Sequence, residues 1–353
     1  MGDTHSIEAS ALSSSVSRIR TSRDRGVRWI LEHIDSAGKP VGADERNGWA
    51  RTPWALAVSG ETDVAAKVIA WAKRTQLTKD GSFAPGPALG SGKFPAYPLA
   101  HFAIGAWLTE HYDTALSVMG ELRRIQDPAT GGIPIGFPQQ RSTDYHDLLS
   151  TAQVGQAAIV TGQDDIAEGV YKWVSELLEQ QPKDHGTRFF TFRQGAQLVE
   201  RPPKELEWMA ITDFSKPRQT YYTPGMAAVF LSGYAQRFGV KHPLETASDL
   251  LAWNVAGTPE QFDDLASVQL CKFGWGAAAL ASVDIHRDWT QHLMRMVEWF
   301  EARQAADGSW APSNFLQPSP SDIDRMSKTS EHVMEVNSIL SALGSALSLK
   351  LSC

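Results

Sequence analysis

Apolar residues recur at helical spacing through most of the chain, and strand-like alternation is scarce. Two kinds of helical segment alternate. The first kind is dense in Ala, Gly and other small residues on every side: 47–60, 96–112, 145–162, 223–239, 267–283 and 330–347. The second kind carries an apolar stripe and a charged face: 14–36, 62–76, 113–126, 164–181, 243–257 and 288–304. A helix that is apolar all round belongs in an interior, and an amphipathic one belongs against it. Small residues also let helix backbones approach closely. The pattern therefore predicts an inner layer wrapped by an outer one.

The links alternate too. After the inner segments they are short, and two share a frame, Val58-x-Gly60-x-x-Asp63 and Val160-x-Gly162-x-x-Asp165. A glycine stop followed by a capping aspartate explains that frame. After the outer segments the links are long and rich in Gly and Pro, beginning at Gln76, Gln126, Gln181 and Gln304. Six inner and six outer segments predict an all-α protein, an (α/α)6 toroid or six-hairpin barrel with a central cavity. Residues 13–353 form its single domain, residues 1–12 a disordered tail, and residues 182–220 an insertion. The long loops and the N-terminal ends of the inner helices share one end of the ring, where a site is expected.

Composition narrows the function. The formal charge is −7, and no block of Lys or Arg supplies a footprint for nucleic acid. No apolar run reaches the roughly 18 residues of a spanning helix. Two cysteines, Cys271 and Cys353, cannot build a disulfide framework. The N-terminal stretch lacks the basic-then-apolar order of a secretory signal, so a cytoplasmic location is expected.

Two stretches carry a resemblance. Gln304 to Trp310, QAADGSW, is similar to the Gln-x₂₋₅-Gly-x-Trp turn of triterpene cyclases, with relaxed copies at Gln76/Gly81 and Gln126/Gly132. VQLCKFGWGAA (268–278) resembles the zinc-site helix of protein prenyltransferase β subunits. Cys271 and Trp275 fall on its Cys and Trp, and His332 stands where the zinc-binding His would be. The chain thus resembles the α/α toroids of terpenoid cyclases and protein prenyltransferases. The resemblance implies the toroid fold and, through Cys271 and His332, a zinc ion. Gln269 stands at the position of the ligand aspartate, and no Asp-x-Asp-Asp acid motif is present. The resemblance therefore speaks for architecture, and no cofactor is expected. Unsaturated glucuronyl hydrolases and N-acylglucosamine epimerases use a similar six-hairpin ring.

The starts of the inner helices nominate the site. Catalytic candidates are His146, Asp147, Tyr222, Lys272, His332 and Glu335. His titrates near neutrality, and carboxyl groups and lysine can be tuned toward it. Substrate-binding candidates are Trp49, Arg51, Trp54, Tyr97, His101, Tyr145, Tyr221, Gln269 and Trp275, which supply aromatic walls and a few polar contacts. Each has a plain structural alternative. Asp147 reads equally as a helix cap, His332 and Glu335 as an ion pair, Lys272 as a salt-bridged lysine, and the aromatics as walls.

The leading expectation is a cofactor-independent enzyme that cyclises, isomerises or dehydrates an apolar terpenoid or polyketide-like small molecule. A carbohydrate-active hydrolase or epimerase, with Asp147 as its acid, is the first alternative. A non-catalytic helical interaction module is the second.

Overall fold

A computed structural model describes residues 2–90, 93–136, 145–184, 186–284 and 286–352. Among these, twelve principal helices alternate as the pattern predicts. The outer ones are α1 (Gly2–Glu32), α3 (Thr62–Thr75), α5 (Tyr112–Ile125), α7 (Asp164–Glu179), α9 (His242–Ala256) and α11 (Thr290–Arg303). The inner ones are α2 (Thr52–Val58), α4 (Ala96–Leu108), α6 (Leu148–Thr161), α8 (Tyr222–Phe238), α10 (Cys271–Val283) and α12 (Asp322–Ser352).

The inner helices pack in the order α2, α4, α6, α8, α10, α12 and back to α2, so the ring closes. Each outer helix lies against the two inner helices that flank it, α1 against α12 and α2. Small residues set the inner spacing. A Cβ at Gly225 of α8 would stand 2.0 Å from the Lys272 carbonyl oxygen of α10. Only glycine permits that approach, and it fixes the first turn of α10.

The two ends of the chain complete the ring. α1 runs from Gly2, and its buried stripe begins at Leu12 and continues through Val16 and Ile19. The last inner helix starts at Asp322 rather than near 330. Asp324 Oδ2 accepts from the Ser321 backbone N–H at 3.0 Å and caps the earlier start.

The turn at Gln304 closes the ring. The Gln304 side chain donates to the carbonyls of Ser22 and Gly308, both at 2.8 Å, and accepts from the Ser22 hydroxyl at 2.9 Å. It therefore ties α1 to the link between α11 and α12. Gly308 sits at φ +94° beneath the Arg25 carbonyl, a conformation and a space that suit glycine. Trp310 is fully buried and donates its indole N–H to the Phe300 carbonyl at 2.9 Å. Gln126 repeats the device, bonding the carbonyls of Gly131 and Ile166. Gln76 does not, and its amide donates to Thr75 instead.

The 182–220 insertion contributes strands. β1 (Tyr145–Asp147), β3 (Phe192–Gln194) and β4 (Gln197–Leu198) form one antiparallel sheet, and β2 (Arg188–Phe190) pairs with β5 (Ile211–Asp213). Ile135, Phe192, Val199, Leu206 and Ala210 make a second small core there. Because Asp147 pairs with Phe192 and the Leu148 N–H bonds the Thr191 carbonyl at 2.9 Å, the insertion fixes the entry to α6.

Candidate functional site

The first turns of the inner helices converge at the long-loop end. They surround a cavity of about 190 Å³ lined by Arg51, Tyr97, Tyr222, Gln269, Lys272 and Glu331, with Lys328 and Cys271 beside them. Arg51 and Tyr97 also face a wider vestibule of about 580 Å³, whose wall includes Arg46, Asn47, Lys93 and Ser327. Both walls set charged and polar side chains within a surface that is more apolar than polar.

Lys272 is the centre of a buried ion network. It enters from the first turn of α10 and pairs with Glu331 and, at 3.4 Å, with Glu335 Oε1, both on α12. Lys328 also pairs with Glu331. Lys328, Glu331 and Glu335 recur at i, i+3 and i+7, so one face of α12 delivers all three. Burial alone would raise the Glu331 pKa, but Lys272, Lys328 and Arg51 hold its carboxyl well below the usual range. Burial would likewise lower Lys272, and Glu331 instead holds it well above the ordinary lysine value.

Asp147 has the opposite environment. It is the N-cap of α6, and its Oδ1 accepts from the Ser150 N–H at 2.8 Å. Its Oδ2 is buried with no hydrogen-bond partner among the described residues. Burial pushes its pKa up to about 6, against the pull of the Ser150 hydrogen bond. The next residue but one, Leu149, lines the cavity. Tyr222 lies close enough to feel both carboxyl groups, and burial pushes its own pKa up.

His332 lies one turn deeper. It is fully buried among Trp299, Phe300 and Trp310, and its Nδ1 bonds Glu335 Oε2 at 2.8 Å. A carboxylate oxygen accepts, so Nδ1 carries the hydrogen. Burial lowers its pKa, so the ring is neutral near pH 7. His332 thus braces Glu335 and lines neither cavity.

Cys271, His332 and Glu335 offer ligand atoms within 4.8 Å of one another, a local counterpart of the zinc site that the resemblance implies. Glu335 is already held by Lys272 and by His332 itself. Burial keeps the Cys271 thiol protonated. The Lys272 ammonium, 3.4 Å from the carboxylate, would repel a dication. Two remaining donors fall short of the three or four that zinc takes from a protein. The residues present do not fit a zinc ion.

Other expected site residues go elsewhere. Trp54, His101 and Trp275 form an aromatic layer one turn below the cavity, with Trp54 5.7 Å from His101 and 5.6 Å from Trp275. Burial pushes the His101 pKa well down, and its Nδ1 bonds the Tyr97 carbonyl at 2.8 Å. Trp49 is fully buried, enclosed by Trp71, Phe83 and Phe102, so it is a core residue and not a cavity wall. Tyr221 is also a core residue, packed on Phe214 with its hydroxyl bonded to the Lys216 carbonyl. Tyr145 packs toward Phe192 in the insertion. His146 turns away from Asp147, as neighbours in a strand do, and stands 3.8 Å from Asp127. None of these last four lines either cavity described.

Sequence reasoning did not single out Glu331 or Lys328. The signal was available, because both share a helical face with Glu335.

Solved structures repeat this architecture. A family 76 α-mannanase from Bacteroides thetaiotaomicron superposes with a TM-score of 0.64 at 10% identity, covering 94% of this chain and 97% of that one. The α-1,6-mannanase of Salegentibacter gives 0.62 at 11% identity, covering 93% and 99%. A type II terpene cyclase from Scytonema gives 0.56 at 14% identity, covering 94% and 99%. The fold is the α/α toroid. No protein-family model and no curated protein sequence matches the chain. An inactive form of the Salegentibacter mannanase, with two consecutive aspartates exchanged, holds α-1,6-mannotriose. In this toroid the consecutive aspartates Asp164–Asp165 pair with Arg237 and Arg123, and Asp263–Asp264 with Arg295 and Arg218, and neither pair lines the two cavities described above. No helix among the described residues is long and apolar enough to cross a membrane.

Proposed function

We propose that this toroid is an acid–base enzyme acting on a hydroxylated, sugar-like small molecule, most simply as a glycoside hydrolase. The observation that carries the reading is the divergence of two carboxyl groups that both act on Tyr222: Glu331 lines the cavity, and Asp147, which does not, is buried at the start of α6 two residues before the wall residue Leu149. Asp147 is pushed up to about 6, while the lysines hold Glu331 ionised. Environments that drive two carboxyl groups apart assign an acid and a base. In this reading Asp147 protonates the leaving oxygen, and Glu331 accepts a proton from the attacking water. Tyr222 and Gln269 orient hydroxyl groups between them.

The charged groups on the cavity wall, Arg51, Lys272 and Glu331, support a hydroxylated ligand, although the wall surface is more apolar than polar. The likeness to the mannanases agrees with a carbohydrate. The absence of a consecutive aspartate pair from the described cavity walls argues for a different catalytic pair. A second reading, a proton-initiated cyclase or isomerase, is favoured by the Trp54/His101/Trp275 layer, whose rings suit a developing cation.

The test is a panel of aryl glycosides assayed for released phenol, beside prenyl diphosphates assayed for cyclised product. Turnover of a glycoside that Asp147→Asn abolishes supports the first reading. Turnover of prenyl substrates alone replaces it with the second.

A further inference from the structure

The vestibule and the inner cavity share two wall residues, Arg51 and Tyr97, and differ in what the rest of their walls can do. In the inner cavity polar groups stand open to a ligand. The Gln269 amide and the Tyr222 hydroxyl line it and bond to no described residue. In the vestibule the polar groups are engaged with the protein itself. Arg46 pairs with Asp324 at 2.8 Å, Arg51 donates to Ser327 Oγ at 2.5 Å, and Asn47 gives an amide N–H to the Ala88 carbonyl at 3.0 Å. Glu45 and Lys93 are exposed to water. What remains of that wall is Pro87, Phe94, Pro98 and the ring of Tyr97. Rings and prolines offer flat, stiff, apolar faces, which suit a flat apolar partner.

Phe94 is held in that wall against its backbone preference. Its φ of +56° lies in the left-handed region, an outlier for a bulky residue. Two contacts enforce it. Its N–H donates to the Ile135 carbonyl at 2.7 Å, and its side chain packs against the second core that the insertion builds around Phe192 and Leu206. A strained bulky residue at a cavity wall points to a role there.

The two volumes differ in the same sense. The inner cavity, about 190 Å³, lies below the roughly 300 Å³ at which pockets for drug-sized ligands begin, and the vestibule, about 580 Å³, lies above it. A single ring suits the first, and a larger group suits the second. We propose that the substrate is amphipathic, a glycoside whose sugar enters the inner cavity and whose flat apolar aglycone lies in the vestibule, with Phe94 setting that preference. The inference rests on the acid–base reading above and names its substrate class.

Calorimetric titration of the full chain with 2-naphthol, phenol and α-1,6-mannobiose tests the vestibule without catalysis. 2-Naphthol is expected to bind at least about tenfold more tightly than phenol, the scale of burying its second ring. Phe94→Gly removes the ring and suits the backbone angle. Pro98→Glu puts a charge on the apolar wall in the first turn of α4, where an acidic side chain favours the helix. Each is expected to remove most of the ratio, and circular dichroism checks that both fold. Pro98→Glu keeps the test intact should Phe94→Gly fail to fold. Equal binding of the two phenols, no binding by either, or a ratio that neither variant changes overturns the proposal. Mannobiose binding above 2-naphthol overturns it in favour of a second sugar in the vestibule. Among glycosides turned over, a naphthyl glycoside is expected to show about tenfold lower KM than the methyl glycoside of the same sugar, a difference that Phe94→Gly erases. Equal KM values overturn the preference. Naphthol binding that depends on Phe94, with no glycoside turned over, supports the apolar receptor and overturns the acid–base reading instead.

Discussion

Lys272 of α10 and Glu331 of α12 form an ion pair across the seam between two inner helices, with side chains only 3% and 4% exposed. Removing one partner strands the other in a buried site, which costs about 3–5 kcal/mol. Lys328 and Glu335 soften that loss. Lys272→Met is expected to lower stability by about 3 kcal/mol, read as a denaturant midpoint. The double variant Lys272→Met/Glu331→Leu is expected to recover much of the loss and to lack activity. A double variant as unstable as the single one would show that the pair is not the coupled unit described.

Asp147 should trade stability for function. Its folded pKa of about 6 lies above the ordinary carboxylate value of 3.8. The folded state therefore holds the proton more tightly than the unfolded state, and stability falls as pH rises from about 4 to 6. Above that window the penalty is constant, at about 3 kcal/mol from the two-unit shift. Asn caps a helix as well as Asp does. Asp147→Asn is expected to equal or exceed the parent in stability above pH 6 and to lose activity. Parent activity is expected to fall as pH rises through about 6, as the acid loses its proton. Thermal melts at pH 5 and pH 8, with a pH–rate profile, check both signs.

Gly225 carries the spacing of the site. A methyl group there would lie 2.0 Å from the Lys272 carbonyl. Gly225→Ala is expected to cost about 1–3 kcal/mol through overpacking and to displace Lys272 from Glu331. A melting temperature equal to the parent's would mean that the α8–α10 contact yields freely.

Gln304 closes the ring without touching the cavity. Gln304→Leu leaves the Ser22 and Gly308 carbonyls short of a donor and is expected to cost about 1–3 kcal/mol. Limited proteolysis should then cut α1 faster, while activity well below the melting temperature stays near the parent level. A selective loss of activity would place the turn in the mechanism.

The ring was legible because its signal is long and redundant. Twelve segments with two alternating compositions leave little room for another arrangement of helices. The Gln304 turn was legible as a device, though not its partner Ser22, which lies at the far end of the chain. The site was less legible. Arg51, Lys272, Tyr222 and Gln269 followed from their places at inner-helix starts. Lys328 was missed because α12 was started at 330 rather than Asp322, and Glu331, inside the expected segment, was passed over beside His332. Trp49 and Tyr221 read as wall residues because an aromatic at a helix start looks the same whether it faces the cavity or the layer behind it. His146 and Asp147 were treated as helix neighbours. The insertion pairs them into a strand, which sends one toward Asp127 and leaves the other to cap α6.

The divergence of Asp147 and Glu331 is the claim on which the account stands, and carbon-detected NMR titration of the side-chain carboxyl groups measures it without a substrate. With resonances assigned through Asp147→Asn and Glu331→Gln, Asp147 is expected to titrate near pH 6 and Glu331 to stay ionised well below the ordinary glutamate range. Two ordinary midpoints, both near pH 4, would contradict the assignment of an acid and a base to this cavity.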